Sequence, residues 1–123
     1  MAADVAGPGV TEVVDAYLQA WNEPDEEVRR TLLREAVTDD CELAGPTGTF
    51  RGRDAILGLI AALQGRAGDA VMARSGPVEA GEIGGDIRFA WQVRTPDGDA
   101  LLGGTDTVEI AADGRLRLIT VVL

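Results

Sequence analysis

The stretch Thr38-Asp-Asp-Cys-Glu-Leu-Ala-Gly-Pro-Thr-Gly-Thr-Phe-Arg-Gly-Arg-Asp-Ala-Ile56 decides how the chain is read, because it runs through strand, turn, strand and helix start in succession. Cys41–Ala44 reads as a short strand, with Cys41 and Leu43 on the same face as Gly45 and Glu42 on the other. Gly45-Pro46-Thr47-Gly48 carries the glycine and proline punctuation of a turn. Thr49–Arg51 returns as a brief strand. Asp54 then stands where a carboxylate suits the positive end of a new helix, and Ile56, Leu57, Ile60 and Leu63 follow at the spacing of one apolar face.

Upstream, Val10, Val13, Val14, Tyr17, Leu18 and Trp21 recur at helical spacing and mark the buried face of a first helix. It ends near Asn22–Pro24, where proline disfavours continuation. Asp25 is placed to cap a second helix, with Glu26 and Glu27 in its first turn. Val28, Leu32, Leu33, Ala36 and Val37 are its expected buried stripe. Residues 1–9 read as a flexible leader, which leaves 10–123 as a single domain.

Downstream, the pattern changes to strands over Ala70–Val78, Glu82–Thr95, Ala100–Ala111 and Leu116–Leu123. Gly84-Gly85, Pro96-Asp97-Gly98-Asp99 and Asp113-Gly114 between them are hairpin signals. Three helices followed by an antiparallel meander define an α+β domain. Nothing repeats, and no linker divides the chain.

Composition narrows the chemistry. The 123 residues suit one domain, and the net charge of −10 opposes binding to nucleic acid. No apolar run reaches the ~20 residues of a membrane span, and the first residues lack the features of a signal peptide. One cysteine precludes an internal disulfide and is compatible with a cytoplasmic protein. All 11 basic residues are arginine, and there is no histidine. Serine–histidine and cysteine–histidine nucleophile pairs, histidine metal sites and lysine Schiff bases are therefore excluded. Neither a metal nor a cofactor is expected. Catalysis, if any, falls to carboxylates, Tyr17, Cys41, arginine or the backbone. Of these, Cys41 has no base or cation to activate its thiol and reads as a buried apolar filler. Arg51 and Arg53 read as surface partners of acids such as Asp54.

Along Ile87–Val93, residues Ile87, Phe89, Trp91 and Val93 share one face. In the next strand Gly104, Asp106 and Val108 share one face too. Asp106 thus falls in register with a glycine and an apolar residue, an unusual position for a solvated carboxylate.

Taken with Ala16-Tyr-Leu-Gln-Ala-Trp-Asn22, the opening stretch resembles the nuclear transport factor 2-like superfamily, and within it the SnoaL-like polyketide cyclase and ketosteroid isomerase branch. The resemblance spans about residues 10–123. It implies a cone-shaped curved antiparallel sheet wrapped around the long first helix, with an apolar pocket at the wide end. Ketosteroid isomerases carry a tyrosine in a Tyr-x-x-x-x-Asn stretch, matched by Tyr17 through Asn22. They also carry a neutral aspartic acid in the strand that corresponds to Thr105-Asp106-Thr107. Tyr17 and Asp106 are therefore the expected catalytic pair, donating to an oxyanion. Leu43, Gly45, Phe50, Ile60, Phe89, Trp91 and Val121 are the expected substrate-binding residues.

The chain departs from that pattern at the base. In the isomerases the general base is the carboxylate immediately before the proline of the turn, and that position is Gly45 here. A further assisting tyrosine is replaced by Ile60. Three readings follow. One is an isomerase- or cyclase-type enzyme working on an enolisable ring compound. Another is a module that binds a hydrophobic or aromatic small molecule without chemistry. The third is a structural homodimer, joined through the outer sheet face, whose pocket is filled by its own side chains. In each, neither a nucleic acid nor a membrane is the expected partner.

Overall fold

The computed structural model describes residues 8–80 and 86–123. Helix α1 spans Pro8–Asn22, its proline in the first turn where a missing N–H costs nothing. Pro8 and Gly9 thus belong to the helix instead of the expected leader, and residues 1–7 lie outside the described part. Val14, Tyr17, Leu18 and Ala20 are buried on its inner face.

Helix α2 (Glu26–Ala36) starts as read: the Asp25 side chain accepts a hydrogen bond from the Val28 N–H at 3.1 Å. Its buried stripe holds Leu33 and Ala36, but Val28 is 45% exposed. Arg29 is buried in its stead. The reason lies at the end of α1, where carbonyls lack helical partners. The Arg29 guanidinium donates to the carbonyls of Glu23 (3.1 Å) and Pro24 (3.2 Å) and to the Gln64 side chain (2.8 Å). A charged residue therefore takes the inward position that periodicity alone assigns to an apolar one.

Val37, expected in α2, opens strand β1 (Val37–Gly45), which is longer than Cys41–Ala44. A turn leads to β2 (Gly48–Arg51) and then to α3 (Arg53–Ala67), preceded by Gly52 with a positive φ of 91°. The expected strand over Ala70–Val78 is shorter, β3 (Val71–Arg74), and β4 (Glu79–Ala80) follows it. Strand β5 (Asp86–Arg94) lies within the expected Glu82–Thr95. The hairpin signal at Gly84-Gly85 falls outside the described residues. Strands β6 (Ala100–Ile110) and β7 (Leu116–Val122) match the reading closely.

The sheet has the order β2-β1-β7-β6-β5-β3, with β4 also on β5. It is antiparallel except that β1 and β7 run parallel, a pairing that joins the first strand to the last. Register shifts interrupt the β1–β7, β5–β6 and β6–β7 ladders, and such bulges bend and twist a sheet. The result is the curved α+β architecture expected, with the helices against its inner face. Ile87, Val108, Leu116 and Ile119 from the sheet meet Val14, Leu33, Ile56 and Ile60 from the helices in one core.

Candidate functional site

Beside this core the inner sheet face and the helices leave a cavity of about 390 Å³. That volume is within the range of small-molecule sites. Tyr17, Trp21 and Asn22 enter it from α1, and Leu59, Leu63, Gln64 and Arg66 from α3. Leu43, Gly45, Thr47 and Phe50 come from the β1–β2 hairpin, and Met72, Trp91, Val93, Asp106 and Val121 from the remaining strands. Leu63, Leu101, Leu102 and Leu123 are 41–62% exposed and form an apolar rim at the mouth.

Several polar groups on this wall are already engaged. The Asn22 amide donates to the Met72 carbonyl at 2.7 Å and accepts from the Met72 N–H at 2.8 Å. The Gln64 side chain donates to the carbonyls of Trp21 and Glu23 while accepting from Arg29. Asp106, 2% exposed, accepts at one carboxylate oxygen, Oδ1, from the Trp91 indole N–H at 2.8 Å. Tyr17, beside the Trp21 indole, and the second Asp106 oxygen, Oδ2, are left facing the cavity, together with the exposed Thr47 and Arg66, whose side chains have no hydrogen-bond partner among the described residues. Among the described residues Asp106 is the only carboxylate on the wall and Arg66, at the mouth, the only cation.

Burial acts on both groups in the same sense. It raises the Tyr17 hydroxyl well above its usual range, reinforced by the Asp106 carboxylate and Cys41 and partly opposed by the Trp21 indole. That indole meets the Tyr17 ring edge-on, with centroids 6.3 Å apart, but its own N–H is buried without a hydrogen-bond partner. Tyr17 therefore stays a neutral donor at physiological pH. For Asp106, burial raises the carboxyl to about 6, with the Trp91 hydrogen bond pulling the other way. At pH 7 it is mainly a carboxylate, and below pH 6 a second donor. A group that titrates this close to neutrality is suited to both accepting and returning a proton.

Of the residues expected at the site, Tyr17, Asp106, Leu43, Gly45, Phe50, Trp91 and Val121 meet at the cavity. Ile60 and Phe89 do not reach it; at 0% and 1% exposure they lie in the core beneath. On α3 it is Leu59 and Leu63 that turn to the cavity, while Ile56 and Ile60 pack on the sheet. Phe89 is the register partner of Asp106 but is covered completely. Trp21 and Val93 were legible, one a helical turn beyond Tyr17 and the other two residues beyond Trp91. Met72, Leu101 and Leu102 were not, since only the fold brings them here.

Gly45 leaves an open position. A Cβ built there meets only Leu43 Cδ2 at 3.6 Å and the Gly48 carbonyl at 3.9 Å, ordinary contact distances. Cys41 is fully buried and its thiol is pushed up to about 12, first by burial and then by Asp40. Arg53 pairs with Asp39 at 2.8 Å and donates to the Val37 carbonyl, and Arg51 faces Glu42 at 3.8 Å. Both arginines pair with acids as expected, though Asp54 is not the partner. Among the described residues no group of His, Cys, Asp and Glu could hold a metal ion, and no helix is long and apolar enough to cross a membrane.

No family model matches the chain, and no curated protein matches it in sequence. Solved structures do. One, from Agrobacterium tumefaciens, is a proposed isomerase of the SnoaL-like family; it is 29% identical with a TM-score of 0.82, over 94% of this chain and 97% of that one. A nuclear transport factor 2-like protein of unknown function from an Exiguobacterium species is 21% identical with a TM-score of 0.70, over 89% and 96% of the two chains. A proposed SnoaL-like polyketide cyclase from a Jannaschia species is 13% identical with a TM-score of 0.73, over 98% and 89%. The chain has the nuclear transport factor 2-like fold. Within that fold it is similar to SnoaL-like proteins assigned as isomerases and cyclases.

Proposed function

We propose that the cavity takes a hydrophobic or aromatic small molecule carrying an enolisable carbonyl, and that Tyr17 and Asp106 act on that carbonyl. The observation that carries this reading is the polar inventory of the wall. Tyr17, a donor, and Asp106, a carboxyl, face a cavity whose wall is otherwise mainly apolar, with Thr47 and Arg66 exposed among its remaining polar residues. An apolar ligand with one oxygen function complements such a surface; a polar ligand would leave most of its groups unpaired. Tyr17 would donate to the carbonyl oxygen and stabilise charge as it develops there, a contribution of roughly 2.7–4 kcal/mol in comparable sites.

Asp106 takes a role that depends on pH. In its neutral form it is a second oxyanion donor. As a carboxylate it stands in for the general base missing at Gly45, abstracting the acidic proton beside the carbonyl and returning it elsewhere on the same face. The likeness to a proposed SnoaL-like isomerase agrees with this chemistry, which needs no cofactor.

A titration with a fluorescent phenolic steroid tests the binding half of the proposal. Its phenol oxygen takes the place of the enolate. Binding by the wild type that Tyr17→Phe and Asp106→Asn each weaken tenfold or more is the expected result. Equal affinity in all three proteins would contradict it.

A second reading, a non-catalytic binder, is favoured by Gly45 alone. It predicts the same affinities but no proton exchange in the bound ligand. There Gly45→Asp, for which the backbone leaves room, should confer exchange that the wild type lacks.

A further inference from the structure

We propose that Trp91 is the positioning residue of this site, and that position 104 is glycine because the Trp91 indole must pass over it to reach Asp106. The β5–β6 register sets Trp91 opposite Gly104 and Phe89 opposite Asp106. Asp106 is therefore the diagonal neighbour of Trp91, a separation that only long or aromatic side chains span. The indole does so by lying across position 104 and donating to Asp106 Oδ1 at 2.8 Å.

The fit over Gly104 is too close for any side chain. A Cβ there would stand 2.7 Å from Trp91 Cζ2, 3.0 Å from Cε2 and 3.0 Å from the Val122 carbonyl oxygen. The carbonyl belongs to the sheet and has no freedom to retreat, so the indole would have to move. Gly104 is absent from the glycines with positive φ, so backbone geometry does not explain the residue. Space does.

The contact has two consequences for the carboxyl. It occupies Oδ1, so that Oδ2 alone is presented to a ligand in a fixed orientation. It also supplies a donor to a carboxyl that, among the described residues, has no cation at hand. The titratable groups facing this end of the cavity are Tyr17 from α1 and, behind it, Cys41 from β1; Arg66 is at the mouth. Trp91 is thus the group that opposes the effect of burial on Asp106. The meaning of this placement for catalysis rests on the function proposed above, but the placement itself does not.

The test needs no ligand. The Asp106 carboxyl is titrated by carbon NMR in the wild type, Trp91→Phe, Gly104→Ala and the double variant. Trp91→Phe removes the donor, and the titration midpoint should rise by about one pH unit. Gly104→Ala should shift it in the same direction, and should add almost nothing in the Trp91→Phe background, where no indole is left to displace from Asp106; the contact with the Val122 carbonyl persists and is read in stability instead. A midpoint unmoved by Trp91→Phe would overturn the proposal, since a merely structural tryptophan alters stability without moving it. So would a Gly104→Ala shift of equal size in both backgrounds. Should Gly104→Ala fail to fold, Trp91→Phe still decides the matter. Failure of steroid binding in the earlier titration would leave these midpoints standing, so the two proposals fail separately.

Discussion

Asp106 is held between opposing influences: burial favours its proton, and the Trp91 N–H favours its charge. The balance has a measurable sign. Its carboxyl titrates at about 6 in the fold against an ordinary value of 3.8, so the folded protein holds the proton more tightly than the unfolded chain. Its contribution to stability is therefore greatest below about pH 4 and is lost as pH rises to about 6, and the shift corresponds to roughly 3 kcal/mol. Asp106→Asn keeps an acceptor for Trp91 and cannot ionise. Denaturant unfolding across pH should show the variant gaining on the wild type between pH 4 and 7, reaching a plateau of about 3 kcal/mol. A difference that stays constant with pH would show that Asp106 is not buried in this way. Helical spacing and strand parity turned Tyr17 and Asp106 inward one at a time, whereas their pairing was an expectation drawn from the family resemblance. Phe89 and Ile60 were misplaced for the same reason: parity and periodicity identify the inward face but not which inward residues end in core and which in cavity. The Trp91–Asp106 bond needs the β5–β6 register, which alternation alone does not supply.

Individual elements are tied together by side chains that reach backbone. Asn22 acts as a clamp, its amide making both a donated and an accepted bond to Met72 in β3 and so fixing an edge strand to the end of α1. Asn22→Ala leaves a half-buried N–H and carbonyl without partners, a cost of roughly 1–3 kcal/mol. Amide exchange should quicken at Met72 and its β3 neighbours while β6 and β7 keep their protection. Uniform loss of protection, or none, would contradict a local clamp. Arg29 does comparable work for the carbonyls at the end of α1, which is why Val28 lost the inward position on α2. Such bonds are invisible to hydrophobic periodicity, since they depend on where chain ends fall in space. The parallel β1–β7 pairing was unreadable for a related reason: both strands alternate, and alternation carries no direction.

At the scale of the molecule the fold was the most legible part, because three helices followed by an antiparallel meander define an α+β domain and the resemblance supplied its curved-sheet architecture. The cavity is a by-product of sheet curvature and was readable only through the resemblance. A further expectation, a homodimer through the outer sheet face, is kept as a proposal. That face carries a patch of small side chains, Ala90 opposite Thr105 and Thr107 opposite Thr120, flanked by Arg88, Gln92 and Glu109. Sedimentation equilibrium at micromolar concentration should give twice the 12.9 kDa chain mass; a monomer throughout would dismiss it.

The whole account turns on whether Tyr17 and Asp106 do chemistry on a carbonyl. Solvent-deuterium exchange at the α-carbon of a bicyclic aryl ketone such as 2-tetralone, followed by proton NMR from pH 5 to 8, asks this directly. The wild type should speed exchange above the protein-free buffer, with a rate that climbs through a midpoint near the Asp106 value of about 6. Tyr17→Phe should lose at least tenfold and Asp106→Asn nearly all of it. Exchange no faster than buffer, or undiminished in Asp106→Asn, would contradict the assignment of this pocket to carbonyl chemistry.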